Sequence, residues 1–101
     1  MPDIYIRTMG AVGWITLARP KSLNSLTANM IYQIELALDN WRIDPNIAAV
    51  IIDAKGKKAF CAGGDITDIY NQGKFGNFEF GQRFWANEYR LNLKIAQYPK
   101  P

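Results

Sequence analysis

The pattern of apolar and polar positions divides the chain into strand-like and helix-like stretches. Residues 4–8 (Ile-Tyr-Ile-Arg-Thr) and 12–17 (Val-Gly-Trp-Ile-Thr-Leu) are rich in β-branched and aromatic side chains. With Met9-Gly10-Ala11 between them they predict a β-hairpin. Further on, Met30, Ile31, Ile34, Ala37, Leu38 and Trp41 recur at helical spacing. They predict a helix from Thr27, a good N-cap residue, to about Trp41 or Ile43, with one apolar stripe as core. Asp44-Pro45-Asn46 stops it, and residues 48–53 form an almost unbroken apolar run, expected to be a strand buried on both faces. A short helix carrying Ile66, Ile69 and Tyr70 should end near Gly73, and a longer one should span Phe78 to Gln97. The longer helix carries two apolar rows, Phe80/Phe84/Leu91/Ile95 and Trp85/Tyr89/Leu93/Ala96, over much of its circumference. Glu88 sits among these aromatics, where a carboxylate either snorkels to the surface, the commoner arrangement, or faces a polar pocket.

Between the strand at 48–53 and the short helix lies Lys58-Ala59-Phe60-Cys61-Ala62-Gly63-Gly64-Asp65-Ile66-Thr67. Backbone that must approach a ligand closely needs residues without a Cβ, and Gly63-Gly64 supplies them. A helix starting just beyond offers unpaired N–H groups suited to a developing anion, with Asp65 as an N-cap residue. The plainer reading of the same stretch is a tight strand-to-helix turn. Upstream, Ala18-Arg19-Pro20-Lys21-Ser22-Leu23-Asn24-Ser25-Leu26 reads as an ordered loop whose Arg19 and Lys21 point to solvent. Lys55-Gly56-Lys57-Lys58 reads as a solvated basic turn.

Composition narrows the chemistry. The chain has 101 residues and a net charge of +3, with its 12 basic side chains scattered, which argues against nucleic acid as a partner. No apolar run approaches a membrane span, and Met1-Pro2-Asp3 lacks the basic and apolar regions of a signal peptide, so no membrane association and a cytoplasmic location are expected. Cys61 is the single cysteine and there is no histidine. Within these residues that removes a Ser-His or Cys-His nucleophile and a histidine-ligated metal. Chemistry must rest on carboxylates or backbone N–H groups.

Four segments resemble the crotonase (enoyl-CoA hydratase/isomerase) superfamily in order and spacing. They are Leu17-Ala18-Arg19-Pro20-Lys21-Ser22-Leu23-Asn24-Ser25-Leu26-Thr27, Ala49-Val50-Ile51-Ile52, Phe60-Cys61-Ala62-Gly63-Gly64-Asp65-Ile66 and Tyr98-Pro99-Lys100-Pro101. Residues 87–92 and the aromatic-rich insert before them resemble the 3-hydroxyisobutyryl-CoA hydrolase branch. The resemblance implies an α/β fold of ββα turns wound into a spiral, of which residues 1–101 are the N-terminal portion of a single acyl-CoA-binding domain. It implies a thioesterase of valine breakdown, with an enoyl-CoA hydratase/isomerase and a non-catalytic CoA-binding module as alternatives.

It also implies roles for individual residues. The Gly64 N–H would be one oxyanion donor, and backbone groups of Ala62 and Ile66 would read the adenine of CoA. Lys21 and Arg19 would lie near the phosphates, and Glu88 would line the acyl pocket. Asp65 reads as a helix cap and Cys61 as a small packing residue. No cofactor is implied beyond the coenzyme A of the substrate. The second oxyanion N–H and the acid–base carboxylates of the superfamily have no counterpart in residues 1–101, so the chain alone is expected to be inactive. Self-association, or packing against a C-terminal part, is expected to cover its apolar helix.

Overall fold

The structure is a computed structural model that describes residues 2–74 and 76–101. Its elements are strands β1 (Ile4–Met9), β2 (Val12–Leu17) and β3 (Ala49–Ala54), and helices α1 (Ala28–Arg42), α2 (Thr67–Lys74) and α3 (Phe78–Ala96). A single 3₁₀ turn, Pro20–Ser22, follows β2. The architecture is α/β, with a three-stranded sheet in the order β1-β2-β3. β1 and β2 form the expected antiparallel hairpin, with Ile4 opposite Leu17 and Met9 opposite Val12. β3 runs parallel to β2, Val12 opposite Ala49 and Leu17 opposite Ala54, so α1 is the crossover between parallel neighbours.

α1 begins where its cap predicts: Thr27 Oγ1 accepts a hydrogen bond from Met30 N at 3.1 Å. All six residues of its stripe are buried, against Ile4, Ile15 and Leu17 of the hairpin. Gly13 lies under Trp41, whose ring leaves no room for a Cβ there. The far end of α1 is held by the last residues of the chain. Tyr98 Oη donates to Leu38 O at 2.6 Å, and Lys100 Nζ donates to Trp41 O and Asp44 O. A lysine on the final carbonyls of a helix satisfies groups left without intrahelical partners and complements the helix dipole.

The expectation for residues 48–53 is corrected in one respect. β3 lies at an edge of the sheet, and only Val50, Ile52 and Ala54 pack on the core, while Ile51 is 39% exposed. Its other face joins an open polar face of the sheet. There Arg7 Nη1 donates to Thr16 Oγ1 at 2.9 Å, and the Thr16 hydroxyl donates to Asp53 Oδ1 at 2.5 Å. The two apolar rows of α3 also separate. Phe84 and Leu91 are buried, whereas Trp85, Tyr89 and Leu93 are 52%, 68% and 46% exposed. α3 rests on α1 through Arg90, which donates to both Glu35 oxygens at 3.0 and 3.2 Å, and Lys94, which reaches Glu35 at 3.1 Å and Asp39 at 2.6 Å.

Candidate active site

Two segments that flank the helices meet in a single parallel bridge between Leu26 and Gly64. Leu26 N–H donates to Gly63 O, and Asp65 N–H donates to Leu26 O, both at 2.8 Å. In this pattern Leu26 uses both its backbone groups, so the N–H and C=O of Gly64 point away from the bridge. An N–H directed outward from an ordered strand end can receive an anionic oxygen without reorganisation.

The two glycines of the stretch serve different needs. Gly63 has φ +99 with open space where a Cβ would stand, so its requirement is conformational. Gly64 has no such φ, but a Cβ there would lie 2.6 Å from Glu88 Oε2 and 2.8 Å from Phe84 Cε1. Its requirement is room, because α3 passes directly over it.

Glu88 therefore points inward, the less common of the two arrangements open to a carboxylate in that row. Among the described residues its Oε2 is buried without a hydrogen-bond partner. Leaving a buried polar atom unpaired costs about 1–3 kcal/mol, so such an atom calls for an explanation. A ligand donor placed beside Glu88 would provide one.

The loop before α1 is built around Asn24, which is 1% exposed at φ +55. Its Nδ2 donates to Lys55 O at 2.8 Å and Ala59 O at 3.1 Å, and its Oδ1 accepts from Arg19 N at 2.8 Å. Asn24 thus ties the two loops together, a role the sequence reading did not assign. Beside it lies a groove of about 400 Å³ lined by Lys21, Lys55, Lys57 and Lys58 with Pro20, Leu23 and Gly56.

Arg19 does not point to solvent as expected. Its Nη1 stands 3.0 Å from Asp65 Oδ2 and donates to Ser25 O at 2.8 Å. Asp65 lies one position before the N-cap of α2, which is Ile66, and holds the helix start from there, its Oδ1 accepting from Thr67 N at 2.8 Å. That bond, the Thr67 hydroxyl and the Arg19 guanidinium outweigh partial burial and hold the Asp65 carboxyl below the usual range. A carboxylate so held has no proton to give near neutrality. Ala62 donates its N–H to Leu23 O at 3.0 Å, and Ile66 O accepts from Tyr70 N at 2.9 Å, which among the described residues leaves the Ala62 carbonyl and the Ile66 N–H without a hydrogen-bond partner. Cys61 is half-buried, its Sγ 3.4 Å from Gly63 N.

The structure brings Gly64 and Glu88 together and sets Lys21 apart on the basic groove. Phe84 and the three lysines of residues 55–58 join these groups, and the sequence signal for the lysines was the run Lys55-Gly56-Lys57-Lys58 itself. None of the described helices is long and apolar enough to cross a membrane.

Comparison with known proteins gives a consistent answer. A family model described as enoyl-CoA hydratase/isomerase matches residues 12–101. The mitochondrial 3-hydroxyisobutyryl-CoA hydrolase of Danio rerio is 48% identical over 99 residues, covering 98% of this chain and 26% of the relative. The Homo sapiens protein of the same description is 40% identical, covering 98% and 25%. The chain thus spans about a quarter of the length of these curated relatives. Their mitochondrial designation differs from the cytoplasmic expectation.

Among solved structures, an enoyl-CoA hydratase from Rhodobacter sphaeroides superposes with a TM-score of 0.94 at 49% identity, over 99% of this chain and 30% of that one. A carnitinyl-CoA dehydratase from Mycobacterium thermoresistibile gives 0.91 at 41%, over 98% and 29%. The α/β arrangement of this chain is the N-terminal part of that fold, and the chain belongs to the enoyl-CoA hydratase/isomerase family.

Proposed function

We propose that the protein carrying this chain hydrolyses the thioester of 3-hydroxyisobutyryl-CoA, and that residues 1–101 supply half of its site. The observation that carries the reading is the pairing of an outward Gly64 N–H with the unpartnered Oε2 of Glu88. Water attacks the thioester carbon, the carbonyl oxygen becomes an oxyanion, and the Gly64 N–H stabilises it. Collapse of the tetrahedral intermediate breaks the C–S bond and releases the CoA thiolate, which takes up the proton given up by the attacking water, leaving the free acid. Removal of one oxyanion donor typically costs about 2.7–4 kcal/mol of barrier lowering.

Glu88 fits a different task. Its free oxygen accepts a hydrogen bond from the substrate hydroxyl, or from a water, and so orients the acyl group under Gly64. The CoA moiety enters as part of the substrate. The Ala62 carbonyl and the Ile66 N–H suit the adenine edge, and Lys21 with the neighbouring lysines suits the phosphates as point charges. The names of the curated relatives support this substrate.

One observation favours a second reading, an enoyl-CoA hydratase: the Rhodobacter sphaeroides structure, at 49% identity, carries that name. The oxyanion donor serves either reaction, because an enolate puts its charge on the same oxygen. The deciding assay offers the complete protein both substrates. Release of free thiol from 3-hydroxyisobutyryl-CoA supports the hydrolase. Loss of the enoyl absorbance of crotonyl-CoA with no thiol release replaces it with the hydratase. CoA binding without either reaction would leave a binding module.

A further inference from the structure

We propose that Arg19 is a positioning residue for the Gly64 N–H, acting as a clamp across the Leu26–Gly64 bridge, and not a ligand of the CoA phosphates. The inference rests on the oxyanion role given to Gly64 above. Its basis is where the guanidinium lies. Ser25 precedes Leu26 and Asp65 follows Gly64, so the two residues flank the bridge on its two strands. A single Arg19 nitrogen, Nη1, contacts both: it donates to Ser25 O at 2.8 Å and to Ser25 Oγ at 3.2 Å, and it pairs with Asp65 Oδ2 at 3.0 Å.

The clamp is itself anchored. Arg19 N donates to Asn24 Oδ1, and Asn24 N donates to Arg19 O, both at 2.8 Å. The side chains of Arg19 and Asp65 are 19% and 15% exposed, so the pair is shielded from solvent more than a surface ion pair is. Asp65 is shared, with Oδ2 on Arg19 and Oδ1 on the first turn of α2. One guanidinium thus fixes the strand carrying Gly64, the strand beside it and the start of the following helix. An N–H donor misplaced by 1 Å can lose on the order of a hundredfold in rate, so such a clamp has something to act on.

The test compares Arg19→Met, Arg19→Lys and Asp65→Asn in the complete protein. Asp65→Asn keeps an acceptor for Thr67 N while removing the charge that holds Arg19. For thioester turnover, Arg19→Met should lower kcat about 30-fold while KM and the Kd for free CoA stay within about threefold. Arg19→Lys, which keeps the charge but loses the planar fork, should recover only part of that loss. Asp65→Asn should match Arg19→Met, and the double variant should be no worse than either. A rise in KM and in the CoA Kd at unchanged kcat would make Arg19 a phosphate ligand and overturn the proposal. A lower Tm with unchanged kcat would make the pair a stability element, which overturns it equally.

A second measurement needs no substrate. In Arg19→Met, amide exchange at Leu26 and Asp65 should speed up about tenfold or more relative to Ile15 and Leu38 in the core. Equal change everywhere, or none, removes the clamp. If the wild-type protein turns over no thioester, the hydrolase reading fails, and this exchange measurement decides the clamp alone.

Discussion

Replacing Gly64 by alanine is the most direct probe of the site, because the structure says what the added methyl meets. It would stand 2.6 Å from Glu88 Oε2, 3.1 Å from Glu88 Cδ and 2.8 Å from Phe84 Cε1. Ordinary carbon contacts lie at about 3.5–4.0 Å, so the two side chains must give by several tenths of an ångström. Glu88 can swing its carboxylate. Phe84 cannot easily move: it is 3% exposed and packs edge-on to Trp85 with ring centroids 5.8 Å apart. Overpacking of this kind costs about 1–3 kcal/mol of stability. The substitution keeps the N–H but covers it and displaces its carboxylate neighbour, so kcat should fall about 10–100-fold, short of the loss expected when a donor is deleted. Thiol release from the acyl-CoA, followed with a disulfide reagent alongside thermal melts, measures both effects. Phe84→Leu in the same chain should relieve part of the stability loss of Gly64→Ala, with a coupling of about 0.5 kcal/mol or more. It should do nothing for Gly63→Ala, whose cost is backbone strain at φ +99 with open space around the methyl. A Gly64→Ala protein as stable and as active as wild type would refute the placement of α3 over Gly64 and the oxyanion role together.

Three further outcomes follow from the contacts. Asn24→Ala should destabilise the fold by about 3 kcal/mol in urea titration, since it strips partners from Arg19 N, Lys55 O and Ala59 O and puts alanine at φ +55. Burial pushes the Glu35 carboxyl up, but the hydrogen bonds and charges of Arg90 and Lys94 prevail and hold it below its ordinary value of 4.5. Its contribution is therefore full above that value and lost as pH falls through the lower folded pKa. Wild type should lose more stability than Glu35→Gln between about pH 5 and about pH 3, and parallel curves would refute the clasp. Glu88→Met should raise the melting temperature, because it removes an oxygen whose burial costs about 1–3 kcal/mol, while turnover of the hydroxylated acyl-CoA falls. A variant both less stable and fully active would sink that reading.

What the sequence made legible is what local chemistry decides. Thr27 and the stripe from Met30 to Trp41 gave α1 its start and buried face, because cap and periodicity lie within one helix. The hairpin was legible for the same reason: its register depends on residues adjacent along the chain. Gly64 could be singled out, since adjacent glycines before a helix ask for close approach. Which atoms approach could not be read, because Glu88 and Phe84 arrive from a helix two elements later. The inward turn of Glu88 depends on how α3 lies across α1, set by Arg90 and Lys94 on Glu35, and a row of aromatics does not reveal that. Arg19 looked like a solvated cation because its partners, Ser25 and Asp65, meet only when the bridge closes. β3 looked doubly buried because an apolar run carries no record of which face the remaining elements cover.

The distribution of satisfied groups sets one place in the fold apart. Elsewhere the fold pairs its polar atoms closely: Asn24 meets three backbone groups, Thr16 links Arg7 to Asp53, Asp65 holds both α2 and Arg19, and Lys100 closes α1. Two buried side-chain atoms stand apart among the described residues, and one of them, the Trp14 indole nitrogen, faces the Asp53 carboxyl that it helps to keep ionised. The other is Glu88 Oε2, and it lies over the glycine whose N–H is turned away from its own strand pair. A fold under selection for stability alone would replace the carboxylate with an apolar side chain. Keeping the carboxylate fits the proposed function, in which a bound group presents an acceptor to Gly64 and a donor to Glu88. A thioester carbonyl with a hydroxyl on its acyl chain carries that combination. An unsubstituted acyl chain would satisfy the glycine and leave the glutamate as unpaired as before.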